Sequence, residues 1–394
     1  MTIRDGNYDV IIVGGGISGC SSALHLADDH DVLLLEKGQI AGDASGKASG
    51  VITFSAQRST LPEFVDYSLS FFRTYDGTEH FEFTERNAVE LIPPEMERQA
   101  RERASAAADH GFPLEFLDVE RLEADYPGVF DLDGFIGGIE YRDTGFVDPY
   151  TCTTSYKSDA EANGAEFRTG VDVTKIRSSD GSVDGIETDS GERIDADAVV
   201  CAAGWGTRKL LSEIVEVPVR PFRYQAVDLQ PDRELGEAYP IGMDPVTGFY
   251  WRPQHDGTLH VGGGEYVVSN PGGVRNSVKE SFRREIATQV PTLLKGFDSS
   301  EITSEDTCPT GDAATPDSLP IIDTPTDGPS GLVVVTGMHG YGIMSSPSAG
   351  KAVRALLTDE PSPFPLESYA LGRFESNADD FALVSLAEKR EMFE

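Results

Sequence analysis

The residues with the most specific chemistry come early in the chain. Gly14, Gly16 and Gly19 lie within Gly14-Gly15-Gly16-Ile17-Ser18-Gly19, and Glu36 follows 22 residues after Gly14. Glycines at this spacing let a phosphate group approach bare backbone. Gly14 makes a tight turn, Gly16 leaves room for a pyrophosphate, and Gly19 lets a helix lie close on the preceding strand. The helix that starts at Ile17-Ser18 offers free N–H groups and the positive end of its dipole to the diphosphate. Glu36 is placed to accept hydrogen bonds from adenosine ribose hydroxyls, and its charge repels a 2′-phosphate.

The flanking elements must position these groups. Residues 8–13 (YDVIIV) read as a buried parallel strand, and 32–35 (VLLL) as a second one. Between them Ile17, Cys20, Leu24 and Ala27 fall on one helix face. The motif therefore sits in the strand–turn–helix setting that dinucleotide binding requires. Lys37 follows Glu36. After it Ser45, Gly46, Lys47, Ser49, Gly50 and Val51 form a small, polar stretch able to lie along an extended cofactor. Residues 198–204 give a late apolar strand ending at Ala203-Gly204-Trp205. Residues 331–337 give another, which runs into Met338-His339-Gly340-Tyr341-Gly342-Ile343-Met344, with a helix beginning around Ser346-Pro347.

Six segments in order resemble the FAD-dependent amine and amino-acid oxidoreductases of the D-amino-acid oxidase, glycine oxidase and sarcosine oxidase superfamily. They are GGGISG with Glu36, ASGKASG, Thr144–Pro149, the AAGxW strand end, Thr315–Ile322 and HGYGIMSSPSAG. The resemblance covers nearly the whole chain. It implies one FAD bound extended, in a Rossmann-like α/β domain interleaved with an α+β substrate domain built on an antiparallel sheet. Residues 1–84, 145–217 and 306–394 would form the FAD-binding domain, and 85–144 and 218–305 the substrate domain. A helix starting after Gly340-Tyr341-Gly342 would aim its dipole at the flavin, whose reduced form is negative near N1. Val173 would meet the adenine. His339 either contacts the cofactor or orders the turn, and contact is the reading taken here. No cysteine or histidine stands where it would link the flavin covalently.

On the substrate side, Gly248–Pro253 and Leu259–Gly264 resemble two neighbouring roof strands of sarcosine oxidases. Tyr250 matches a tyrosine that covers the substrate pocket there. His260 stands where those oxidases carry a lysine credited with oxygen activation, which tilts the reading toward a dehydrogenase. It either places positive charge by the flavin or points to solvent. A carboxylate-bearing substrate needs a fixed cation, and Arg offers a bidentate fork. Arg252 is the first candidate, because alternation puts it on the same strand face as Tyr250. Arg220, Arg223 and Lys47 come next. Relatives often carry an Arg or Tyr before Thr315 and a basic residue after His339; this chain has neither.

Composition sets the outer limits. The chain has 394 residues and a formal charge of −35, which excludes a passive phosphate-backbone binder of nucleic acid. Its 39% hydrophobic content provides an ordinary core, so the charge belongs to the surface. Only 9 of its 32 basic residues are Lys, while Asp supplies 35 of 67 acids. That composition resembles proteins of salt-accumulating halophiles such as archaea, where salt screens exposed carboxylates. Cys20, Cys152, Cys201 and Cys308 are too dispersed for a metal or disulfide framework, and the histidines show no metal-ligand spacing. No apolar run is long enough to span a membrane. A cleaved signal would remove the nucleotide motif, so a cytoplasmic location is expected.

The leading functional expectation is hydride transfer to flavin N5 from the C–N bond of a small substrate. That substrate is a glycine-, sarcosine- or D-amino-acid-like amine, and oxygen, a quinone or a redox protein accepts the electrons. The alternatives are a 2-hydroxy-acid or polyol-phosphate dehydrogenase, and a non-catalytic flavoprotein subunit or assembly factor. A homo-oligomer is compatible with either.

Overall fold

A computed structural model of the chain describes residues 8–55, 57–78, 81–267, 277–306, 311–358, 360–376, 378 and 380–383; Cys308 lies outside them. Strand β1 (Tyr8–Val13) pairs in parallel with β2 (Val32–Glu36) on one side and with Arg193–Cys201 on the other. The parallel sheet continues through Glu166–Thr169 beyond β2 and through Leu332–Thr336 beyond Arg193–Cys201.

Alternation explains why these strands are apolar throughout. Val10, Ile12, Leu34, Val200 and Val333 enter one core cluster, while Ile11, Val13, Leu35, Val199 and Val334 enter another on the opposite face. A sheet covered on both faces has no position for a polar side chain. Helix α1 (Ile17–Leu26) covers one face and packs against the helices Pro149–Ala162 and Gly342–Leu357.

The Gly342–Leu357 helix begins earlier than its expected start at Ser346-Pro347, and Pro347 lies inside it. Proline there removes the hydrogen bond normally given to the Ile343 carbonyl. The Ser346 hydroxyl donates to that carbonyl instead, at 2.8 Å, so the first turn survives.

The second sheet runs from Glu301–Asp306 through Arg220–Gln230, Leu259–Val267, Phe249–Pro253, Ile241–Asp244, Ala88–Ile92 and Gly137–Tyr141 to Leu114–Asp118. It is antiparallel except where Ile241–Asp244 pairs in parallel with Ala88–Ile92. That seam joins two distant stretches of chain, so a wholly antiparallel roof is not formed. Asp312–Ala314 adds to the sheet beside Arg220–Gln230.

Val227, Leu229, Phe249, Trp251, Leu259 and Val261 cluster with Phe282, Ile286 and Val290 of the Glu280–Leu293 helix. Period-two alternation then turns Asp228, Tyr250, Arg252, His260 and Gly262 to the other face. In the first insert, Pro93-Pro94 leads through a short 3-10 turn into the Glu97–Asp109 helix. Arg98–Glu102 and Arg101–Glu97 pairs line its exposed side. No helix among the described residues is long and apolar enough to cross a membrane.

Candidate active site

A cavity of about 850 Å³ takes its walls from both sheets. Its lining includes the Gly14–Ser18 turn, Glu36 and Val173, and also Arg223, Tyr224, Tyr250 and the Gly340–Met344 segment. Gly14 has φ +114°, and a Cβ built there would sit 2.4 Å from the Ala202 carbonyl oxygen, so only glycine fits. Glu36 braces the same turn: its carboxylate accepts from Gly15 N–H at 2.7 Å and Gly38 N–H at 2.6 Å. Each carboxylate oxygen retains a second lone pair for a ribose hydroxyl. Ser45 Oγ accepts from Ile17 N–H at 2.9 Å, which places a hydroxyl donor at the start of α1.

Two helix N-termini face this cavity, those of α1 and Gly342–Leu357, and neither has an acid in its first turn. In a chain with 67 carboxylates, that leaves both positive dipole ends open to an anion. Asp312 holds the second helix's entry loop by accepting from Gly340 N–H at 2.7 Å. The bare glycine turn, the ribose acceptor and the two dipole ends fit an extended FAD. Lys37 lies 6.0 Å from the Trp205 ring centroid, alongside the cavity.

All the cofactor contacts expected from the sequence line this cavity except Gly19, Gly46 and His339. Gly19 and Gly46 are held against backbone: a Cβ would lie 1.9 Å from the Gly14 carbonyl oxygen and 2.1 Å from that of Ala41, respectively. His339, fully buried with φ +51°, orders the loop instead of lining the cavity. Its ring packs 4.9 Å from that of Phe222, and its Nδ1 accepts from Thr315 N–H at 3.4 Å.

The roof differs from the expectation in which cation it offers. Arg252 Nε donates to the Ser49 carbonyl at 2.6 Å, and the guanidinium lies over Phe146. It does not line the cavity. Arg220 donates to the Phe381 carbonyl and also lies outside the cavity lining. Arg223 is fully buried and does line it, beside Tyr224. The rings of Tyr224 and Tyr250 meet edge-on at 6.4 Å.

Of the three residues expected to be catalytic, Tyr250 lines the cavity, and His260, like Arg252, does not. His260 is linked to the cavity through side chains: Tyr250 Oη meets Ser49 Oγ at 2.7 Å, Ser49 Oγ meets His260 Nε2 at 2.8 Å, and His260 Nδ1 meets Asp228 Oδ1 at 2.8 Å. Strand register brings two of the four together, since His260 stands opposite Asp228; on its other side His260 stands opposite Arg252. Asp228, Tyr224 and Asp312 are absent from the sequence reading. Their partners come from other strands and loops, and nothing local marks them.

Burial raises the Cys201 thiol to about 11 and that of Cys152 to about 12, which keeps both as unreactive core groups. Among the described residues, no cluster of His, Cys, Asp and Glu could hold a metal.

A family model described as "DAO: FAD dependent oxidoreductase" matches residues 9–356. The chain belongs to this family. It is therefore an FAD-dependent oxidoreductase, with FAD as its cofactor. It is 25% identical to 4-methylaminobutanoate oxidase (formaldehyde-forming) of Paenarthrobacter nicotinovorans, over 94% of this chain and 46% of that protein. The chain thus spans about half the length of that curated relative. Monomeric sarcosine oxidase of Arthrobacter sp. (strain TE1826) is 23% identical over 95% of this chain and 98% of its own length. Among solved structures, L-proline dehydrogenase from P. horikoshii superposes with a TM-score of 0.85. It is 22% identical, covering 94% of this chain and 98% of that one, and the likeness is one of fold.

Proposed function

We propose that this enzyme oxidises the C–N bond of a small amino acid or N-methylated amine that carries a carboxylate. The observation behind this reading is Arg223, a fully buried arginine among the residues that line the cavity, as Tyr224 and Tyr250 do. An arginine at the cavity wall suits a carboxylate, to which a guanidinium can donate in bidentate fashion. Two relatives, a sarcosine oxidase and a 4-methylaminobutanoate oxidase, are named for methylamino acids and point the same way.

FAD, when bound, supplies the hydride acceptor. The protein's part is orientation and electrostatics. Arg223 holds the carboxylate, and the rings of Tyr224 and Tyr250 wall the reacting carbon from water. The N–H groups of Gly342, Ile343 and Met344 favour negative charge in the cavity beside them. Among the described residues, no histidine or lysine of the roof strands lines the cavity where related oxidases place a lysine, which supports a quinone or redox protein over oxygen as acceptor. The two sheets are read as the FAD-binding and substrate domains, with Asp312–Ala314 crossing into the latter.

The test is an anaerobic panel of amines followed by flavin absorbance. Bleaching by sarcosine, glycine or another amino acid, with slow oxygen uptake afterwards, is the expected result. Bleaching only by 2-hydroxy acids or glycerol phosphate would move the enzyme to another substrate class, and no bleaching at all would leave a non-catalytic flavoprotein.

The −35 charge is part of the same proposal: the protein works in concentrated salt. Its melting temperature should rise between 0.1 M and 2 M KCl, and a salt-independent value would remove that reading.

A further inference from the structure

The cavity wall contains a backbone bend that its own residues do not favour. Val51–Ile52 pairs antiparallel with Gly145–Phe146, and Ile52 stands opposite Gly145. Continuing that register would bring Phe54 level with Asp143. The ladder stops first, because Phe54 takes φ +50°, a left-handed conformation that a bulky residue adopts only at a cost. Its side chain is fully buried, and its carbonyl accepts from the N–H groups of Gln57 and Arg58 at 3.2 and 3.3 Å. Thr53 and Ser55, on either side of it in the chain, both line the cavity.

Arg58 does not line the cavity, yet it holds this bend. Its Nε donates to the Thr53 carbonyl at 2.9 Å, and its Nη1 donates to Asp143 Oδ2 at 2.5 Å. The guanidinium lies 5.0 Å from the ring centroid of Phe112 and 5.4 Å from that of Tyr141. The first insert therefore supplies the carboxylate and both rings, while the nucleotide half supplies the arginine. The two charged side chains are only 1% and 4% exposed.

The pairing is poorly arranged for stability. An arginine built to hold a carboxylate would direct two N–H groups at its two oxygens. Here one arm of the fork goes to a backbone carbonyl instead. Among the described residues, Arg58 Nη2, Asp143 Oδ1 and the neighbouring Gln57 Oε1 have no hydrogen-bond partner. Unpartnered atoms on buried charges cost free energy that a packed apolar pair would not. What the arrangement secures is the Thr53 carbonyl, and with it the bend at Phe54.

We propose that Arg58 and Asp143 are positioning residues that pin this bend, so that the Thr53–Ser55 wall holds the substrate in line for hydride transfer. Their net contribution to the stability of the fold is nil. The wall restricts where the body of the substrate can lie once its carboxylate is held. The choice of an amine as that substrate rests on the functional reading above; the pinning of the bend does not.

Three FAD-loaded variants separate positioning from folding. D143N keeps an oxygen for Arg58 Nη1, so the bend stays, but it leaves a buried guanidinium without its counter-charge. Its urea-unfolding midpoint should fall, while sarcosine, or whichever amine bleaches the flavin best, should still reduce it at close to the wild-type rate. R58M/D143L removes both charges and fills the space with apolar groups, so its urea midpoint should match or exceed the wild type's. Its flavin content should hold, but anaerobic bleaching should slow by about 100-fold, the loss that a misplacement of about 1 Å can cause. R58K keeps the charge without a fork that reaches both Thr53 and Asp143, so it should not preserve the rate.

A further readout needs no substrate. The visible circular dichroism of the bound flavin reports the shape of its pocket, and it should change in R58M/D143L and R58K but not in D143N. Wild-type bleaching and wild-type dichroism in R58M/D143L overturn the proposal. So does a fall in its urea midpoint as large as that of D143N, which would make the pair a support of the fold. If no amine bleaches the wild type, the functional reading fails, and the dichroism alone decides whether the pair positions the wall.

Discussion

Two parts of the cavity wall, the nucleotide end and the roof, are built by different means. At the nucleotide end the walls are runs of consecutive residues, Gly14–Ser18 and Glu36–Gln39, whose backbone does most of the work. At the roof the groups are side chains on neighbouring strands, and each one's role depends on what faces it. Arg252 and Arg223 make the contrast concrete. Both are buried arginines of the same sheet, yet Arg223 is part of the cavity lining and Arg252, which donates to the Ser49 carbonyl, is not. A backbone cradle is carried by its own stretch of chain. A side-chain pocket is set by register between stretches far apart.

The sharpest way to break this comparison is to fill the cradle. G14V adds a branched side chain at φ +114°, where even a Cβ lies 2.4 Å from the Ala202 carbonyl oxygen. The variant should purify with less than about a tenth of the wild-type flavin, a loss of at least ~1.4 kcal/mol in binding, as read from the ratio of flavin to protein absorbance. Normal flavin content would mean that the nucleotide lies elsewhere.

At the roof, the paired variants R223M and R252M sharpen the contrast. Truncating one partner of a buried charge pair costs about 2–5 kcal/mol. R223M should therefore raise KM for the carboxylate substrate by about 100-fold or more while flavin content holds. R252M should leave KM within about threefold, because its partner is a carbonyl of the protein. Leaving that buried acceptor unsatisfied costs about 1–3 kcal/mol, which urea unfolding would register as lost stability. Equal KM effects in the two variants would erase the distinction.

Much of the nucleotide end was legible in the chain. The glycine spacing, the buried strand pattern and Glu36 all carry their meaning locally, and the family resemblance follows from their order. What could not be read is what crosses between segments. Ser49, Asp228 and His260 belong to separate stretches, and only the pairing of Arg220–Gln230 with Leu259–Val267 sets His260 opposite Asp228. His339 looked like a cofactor contact because it stands among residues that line the cavity, but its ring packs against Phe222 and accepts from Thr315 N–H. The early start of the Gly342–Leu357 helix depended on a serine hydroxyl compensating for a proline, a substitution of partners that helix propensity does not register.

The smallest expected effect concerns the nucleotide half's response to acid. Burial beside Phe71 lowers His25 on α1 from 6.5 to about 4, with Tyr67 Oη 3.3 Å from its Nε2. The unfolded chain therefore binds a proton between those values that the folded one refuses. This contribution to stability is complete above pH 6.5 and is lost as pH falls toward 4. With the ring partly exposed, the loss is about 2 kcal/mol. H25Q should flatten urea-unfolding stability across that window relative to the wild type, and an unchanged slope would show that His25 is not its source.

The central claim is that Arg223, and not Arg252, receives the substrate's carboxylate. A crystal structure of the FAD-loaded enzyme with acetate, or with an unreactive carboxylate analogue of the best amine, tests it most directly. The account predicts the carboxylate within hydrogen-bonding distance of the Arg223 guanidinium, with Arg252 still donating to the Ser49 carbonyl. A carboxylate held by Arg252, with Arg223 turned away from the cavity, would contradict it.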